Sequence, residues 1–114
     1  MKISKNMQNG LNNQILLEAN ASNTYLSMAS WCEVTGYEGG ASFFYAQSNE
    51  ERDHMLKIVH YLNNMGISAK IPPTKLPASD FKSLESILKM ALKNEQDVQL
   101  LERLAFMSRR DQSK

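Results

Sequence analysis

The stretch Glu50-Glu51-Arg52-Asp53-His54 sets a carboxylate and an imidazole three residues apart. On a helix, side chains at i and i+3 lie on one face and can reach a single ion together. Apolar Phe44, Met55, Ile58 and Leu62 surround Glu51 in the sequence, each within about 40° of its direction at helical pitch. The segment therefore reads as a buried helix with a carboxylate in mid-stripe. An ionised carboxylate buried alone is costly, so it must be neutralised, paired or given a cation. Glu18 repeats the pattern, with Leu11 and Ala29 about 20° to one side of it and Tyr25 about 20° to the other. Glu95 falls within a third stripe, that of Leu84, Leu88, Ala91, Leu92 and Val98. No Lys or Arg shares the stripe near Glu18 or Glu51 to neutralise either one. Glu18, Glu51, His54 and Glu95 are thus candidate metal ligands drawn from three helices. Three converging carboxylates with one neutral imidazole suit two divalent ions bridged by one carboxylate. Oxygen donors plus one imidazole suit iron or manganese better than a thiolate-seeking metal.

Three helices have to position these groups. From about Ser4, a candidate N-cap, to Glu33, the positions Met7, Leu11, Ile15, Tyr25, Ala29 and Cys32 recur at helical spacing. Gly36, Gly39 and Gly40 interrupt the pattern and suit a helix end with a short connection. A second helix is predicted from about Ala41 to Met65, running back along the first and ended by Gly66. Pro72, Pro73 and Pro77 keep residues 67–80 out of helix. A connection of that length can cross a bundle from end to end, which predicts parallel second and third helices. Ser83, with Glu85 two positions on, starts the third helix. Beyond Val98 the apolar face swaps sides: Leu100, Leu101, Leu104 and Met107 group opposite Glu95. The expected class is all-α, a helical bundle.

Composition narrows the function classes. The chain has 114 residues, 42% hydrophobic and 22% charged, as expected of one globular domain. Thirteen basic and twelve acidic residues are interspersed, for a net charge of +1, which gives no nucleic-acid footprint. The longest uncharged run of the first helix, Ala19 to Cys32, is too short and too rich in Asn, Ser and Thr to span a membrane. A lone Cys32 and the absence of a signal-like segment over Met1 to Gly10 predict a cytoplasmic protein. His60 lies about 180° from Glu51 and reads as solvated. Trp31 and Met28 read as core or subunit contact, and Cys32 as a small hydrophobe. Arg109, Arg110 and Lys114 read as a solvated tail.

Several segments together resemble the non-haem ferritins of bacteria over residues 1 to about 98. They are Asn13-Gln14-Ile15 leading to Glu18, Tyr25-Leu26-Ser27-Met28-Ala29, Ser48-Asn49-Glu50-Glu51-Arg52-Asp53-His54, and Ala91-Leu92-Lys93-Asn94-Glu95-Gln96. The resemblance implies a ferritin-like bundle in which Glu18 and His54 hold one iron, Glu51 bridges to a second, and Glu95 holds that second ion. It makes Tyr25 the adjacent tyrosine, and Glu50 the carboxylate that helps form a third iron site. It further implies a non-haem di-iron ferroxidase that oxidises ferrous iron with dioxygen and stores the ferric product within a hollow twenty-four-subunit shell. Family members continue into a fourth helix with the remaining second-site ligand and a short fifth helix. Residues 99–114 depart from the family's third helix, so the expectation is a truncated or frame-shifted copy in which the shell and second ion position are incomplete.

A runner-up of another class is a ferritin-derived helical subunit that binds metal weakly or not at all and serves as a structural or partner-dependent protein. Anaerobic ferrous titration separates it from the iron-oxidising reading. A plain helical adaptor would leave three buried glutamates without a role.

Overall fold

The computed structural model describes residues 3–94. Among them are three helices and no strand, α1 (Lys5–Thr35), α2 (Glu38–Asn64) and α3 (Leu84–Asn94), an all-α helical bundle as the periodicity predicted.

Local chemistry sets the helix ends. Ser4 caps α1: its Oγ accepts the Met7 N–H at 3.1 Å, and its carbonyl accepts the Gln8 N–H. Gly36 closes α1 at φ 91°, where any residue with a Cβ is strained. The Tyr37 N–H then reaches the Cys32 carbonyl and the Gly36 N–H reaches that of Glu33, a Schellman closure. Gly66, at φ 79°, closes α2 in the same way through Ile67 to Leu62 and Gly66 to Asn63. Ser83 caps α3 by accepting the Ser86 N–H. One boundary differs from expectation. Helix α2 begins at Glu38, not Ala41, because only Gly36 takes a left-handed conformation, and Gly39 and Gly40 sit in the first turn.

The chain packs as two compact units. The first unites α1 up to Tyr25 with Ala46–Pro77. In it α1 and α2 run antiparallel, with Ser22 against Ser48 and Glu18 against His54. Ile15 and Leu62 are fully buried there, joined by Tyr25, Gln47 and Ser48. The proline-bearing connection is extended and lies along α1 in α1's own direction. Asn12 Oδ1 accepts the Lys70 N–H, Asn20 Oδ1 accepts the Lys75 N–H, and the Asn23 amide donates to Thr74. Two asparagines thus satisfy backbone N–H groups of the extended segment, and a third holds one of its side chains.

The second unit unites Leu26–Tyr45 with the chain from Ala78. Its core is Met28, Ala29, Cys32, Ala41, Phe43, Phe44, Leu84, Ile87, Leu88 and Ala91. Trp31 stacks on Tyr37 and meets Phe81 edge-on, while the Tyr45 hydroxyl donates to Glu33. The α3 stripe is Leu84, Ile87, Leu88 and Ala91, the i, i+3, i+4, i+7 set. Leu92, placed in that stripe by the sequence, lies about 80° round from Leu84 and is exposed. Met7, also assigned to a buried stripe, is 51% exposed near the start of α1. Val98 and the apolar-face change beyond it lie outside the described residues.

Candidate metal centre

Two interactions in the first unit set the register of the candidate site. Ser22 lies one turn after Glu18, and Ser48 lies three residues before Glu51. The two serines bond reciprocally: Ser22 Oγ donates to the Ser48 carbonyl at 2.8 Å, and Ser48 Oγ donates to that of Ser22 at 2.8 Å. A pair this close requires small side chains and locks α1 against α2 one turn from the carboxylates. Gln14, four residues before Glu18, supplies the second constraint, its amide donating to Glu18 Oε1 at 2.9 Å.

Glu18, Glu51 and His54 converge between these constraints. His54 Nδ1 stands 3.7 Å from Glu18 Oε2 and 3.7 Å from Glu51 Oε2. One donor atom from each of the three lies within 4.8 Å of the others. Separations of 3.7 Å exceed a hydrogen bond. They match donors placed about 2.0–2.2 Å from a common ion, which stand roughly 3–4 Å apart. Two carboxylates and an imidazole, with no thiolate, form a donor set for a hard or borderline divalent cation. The residues present therefore fit an ion without rearrangement of either helix.

The electrostatics fit the same occupant. Burial pushes the Glu18 pKa up, but the neighbouring Glu51 side chain, the hydrogen bond from the Gln14 amide and the nearby His54 together hold it below its ordinary value. The Glu18 and Glu51 side chains are 15% and 16% exposed and that of His54 is 47% exposed. The site is therefore half-buried, not the fully buried one predicted from the stripe around Glu51. In this unit α1 and α2 are the helices described, and two helices cover only the strip between them. His54, about 60° round from Glu51, is turned toward water. Exposure on the histidine side gives an ion a way in.

The other sequence candidates lie elsewhere on the described helices or outside the described residues. Tyr25 is buried, seven residues beyond Glu18 on the same face of α1 and about 10 Å along the axis. Glu50 and His60 are exposed, and His60 is not part of the cluster. Glu95 lies outside the described residues. Three contributors went unread as site parts: Gln14, which the i, i+4 spacing to Glu18 could have flagged, and Ser22 with Ser48, whose pairing depends on register between helices.

Comparison with known proteins places the fold in a family. The family model for the ferritin-like domain matches residues 8–105. The chain is 40% identical over 96 residues to a bacterial non-heme ferritin of Staphylococcus aureus, covering 84% of this chain and 58% of the relative. It is 39% identical over 93 residues to a probable bacterial non-heme ferritin-like protein of Haemophilus influenzae, covering 82% of this chain and 56% of the relative. The chain thus spans a little over half the length of these curated relatives. The solved structure of a ferritin from Chlorobium tepidum superposes with a TM-score of 0.67 at 26% identity, over 98% of this chain and 79% of that one. This chain belongs to the ferritin-like domain family.

Proposed function

We propose that the chain binds ferrous iron at Glu18, Glu51 and His54 and oxidises it with dioxygen as a step in iron storage. The observation that carries this reading is the convergence of those three donors within 4.8 Å on two helices held in register. Family membership and the kind of protein it resembles, non-heme ferritin, support iron as the ion.

Iron is the substrate here, not a resident cofactor. Ferrous ion takes the place between Glu18 and Glu51, Gln14 keeps Glu18 turned to it, and His54 Nδ1 supplies the third donor. Two ferrous ions each give up one electron, and dioxygen takes up both with two protons, leaving as hydrogen peroxide. Such a transfer requires a second ion nearby. In this reading Glu51 bridges the two ions, Glu95 holds the second, Glu50 supplies a carboxylate for a third, and Tyr25 orients a ligand or donates an electron. Ferritin membership extends the proposal to a homo-oligomer that retains the ferric product.

The test is anaerobic ferrous titration followed by admission of dioxygen, with Glu18→Gln beside the parent chain. The parent is expected to bind ferrous ion and to develop ferric absorption. The variant is expected to lose both. Equal oxidation by the two chains would overturn the assignment. A parent that binds no ferrous ion would leave a helical subunit without ferroxidase activity.

A further inference from the structure

The two oxygens of Glu18 have different surroundings. Oε1 accepts a hydrogen bond from the Gln14 amide at 2.9 Å, whereas Oε2 stands 3.7 Å from His54 Nδ1. An ionised carboxylate only accepts, so the amide presents its nitrogen to Oε1. Gln14 reaches Glu18 from one turn nearer the start of α1, about 40° round and 6 Å along. Ser22, one turn after Glu18, gives its hydroxyl to the Ser48 carbonyl instead. The Gln14 amide is neutral, so it turns the carboxylate without cancelling the charge that draws a cation. A Lys or Arg at position 14 would do the first and undo the second. On a solvated helix face such an i, i+4 pair contributes little to stability. On a metal ligand it decides which oxygen faces the ion.

We propose that Gln14 is a specificity-determining positioning residue: it holds Glu18 to one-oxygen coordination and so favours first-row divalent ions over calcium. This rests on the metal-binding reading of Glu18, Glu51 and His54. Coordination through both oxygens sets them at similar distances from one ion. With Oε1 drawn toward Gln14 and Oε2 facing His54, Glu18 reaches that arrangement only by giving up its bond to the amide. A first-row divalent ion accepts imidazole and single carboxylate oxygens at about 2.0–2.2 Å. Calcium takes roughly six to eight oxygens at about 2.3–2.6 Å, and carboxylates often serve it through both atoms. While Glu18 binds through Oε2 alone, it offers calcium one oxygen fewer than it could. Hydrogen-bond partners of ligating carboxylates orient them, and here the orientation sets the donor count.

Gln14→Met tests the assignment, because it keeps the side chain's length and helix preference and removes the donor. Three measurements are made on the full chain: a thermal melt without metal, titration with cobalt(II) followed by its visible d–d absorption, and displacement of the bound cobalt by calcium. Position 14 is exposed, so the metal-free melting temperature should match the parent's. Cobalt affinity should fall about 10- to 100-fold while calcium affinity holds or rises, so the preference for cobalt over calcium narrows by at least about 10-fold. Equal weakening of both ions would overturn the proposal. So would calcium that displaces cobalt equally from both chains, or from neither. A lowered metal-free melting temperature with the parent's ion preference would make Gln14 a structural residue only. Glu51→Ala is the control that separates the two levels. If the parent's cobalt binding is insensitive to Glu51→Ala, both the site reading and this inference fail. If Glu51→Ala abolishes it but Gln14→Met keeps the parent's ion preference, this inference alone fails.

Discussion

Glu51→Gln isolates the charge of the central carboxylate from its size. Glu18 and Glu51 present oxygens no more than 4.8 Å apart, and two full charges at that distance repel by about 3.5 kcal/mol at an effective dielectric near 20. Replacing Glu51 by Gln removes that repulsion from the metal-free chain. A glutamine amide can also donate to Glu18, so metal-free stability at neutral pH should be no lower than the parent's. Metal binding should respond quite differently. Loss of a group that merely orients a ligand lowers affinity about 10- to 100-fold, and loss of a charged ligand should cost at least about 100-fold. At a free ion concentration about 100 times the parent's Kd, binding stabilises the parent by about 2.7 kcal/mol, whereas a 100-fold weaker variant gains about 0.4 kcal/mol. At about 4 °C per kcal/mol, the parent's Tm should rise by about 10 °C and the variant's by less than about 2 °C. Anaerobic scanning calorimetry with ferrous ion measures both. Equal rises would show that the ion sits elsewhere. A metal-free loss of several kcal/mol would make Glu51 a structural group and refute the argument.

Three further outcomes follow from particular contacts. Glu18 has a folded-state pKa below its ordinary 4.5, so it contributes stability above that pH and loses it as pH falls through the folded value; Glu18→Gln should flatten the acid limb of stability against pH, measured by urea unfolding. Gly36→Ala, at φ 91°, should destabilise by about 1–2 kcal/mol. Gly10→Ala, within α1 and with nothing within 4 Å of the added methyl, should stabilise by about 0.5–1 kcal/mol, and paired denaturant melts check the opposite signs. Ser48→Ala removes two bonds to Ser22 and leaves the Ser22 carbonyl without the Ser48 donor. It should cost about 1–3 kcal/mol in the same melts and also weaken cobalt binding, since it loosens the register that brings α2 to Glu18.

The helices were legible because their signals are local. Ser4 and Ser83 as caps, Gly36 and Gly66 as stops, and the prolines of residues 67–80 each act within a turn of themselves, and all are found in those roles. The error at the start of α2 arose where two signals of the same type differ only in backbone angle. Gly36 and Gly39 look alike in sequence, yet only the first has positive φ. Burial was read less well at stripe edges. Periodicity gives an angle but not the width of the neighbouring surface, so Leu92 and Met7 were placed inside and found exposed.

The candidate site divides along the same line. Glu51 and His54 share a helix, so their spacing alone predicts their meeting, and His54 Nδ1 does lie 3.7 Å from Glu51. Bringing Glu18 to the same point requires the rotation and register of α1 against α2. The sequence holds that information in Ser22 and Ser48, residues that look like ordinary small polar positions until the helices are paired. Ligands are visible in a sequence because their chemistry is unusual for a core. The residues that aim them become visible only through packing, so a variant that spares every ligand and changes Ser48 probes what the fold itself adds to the site.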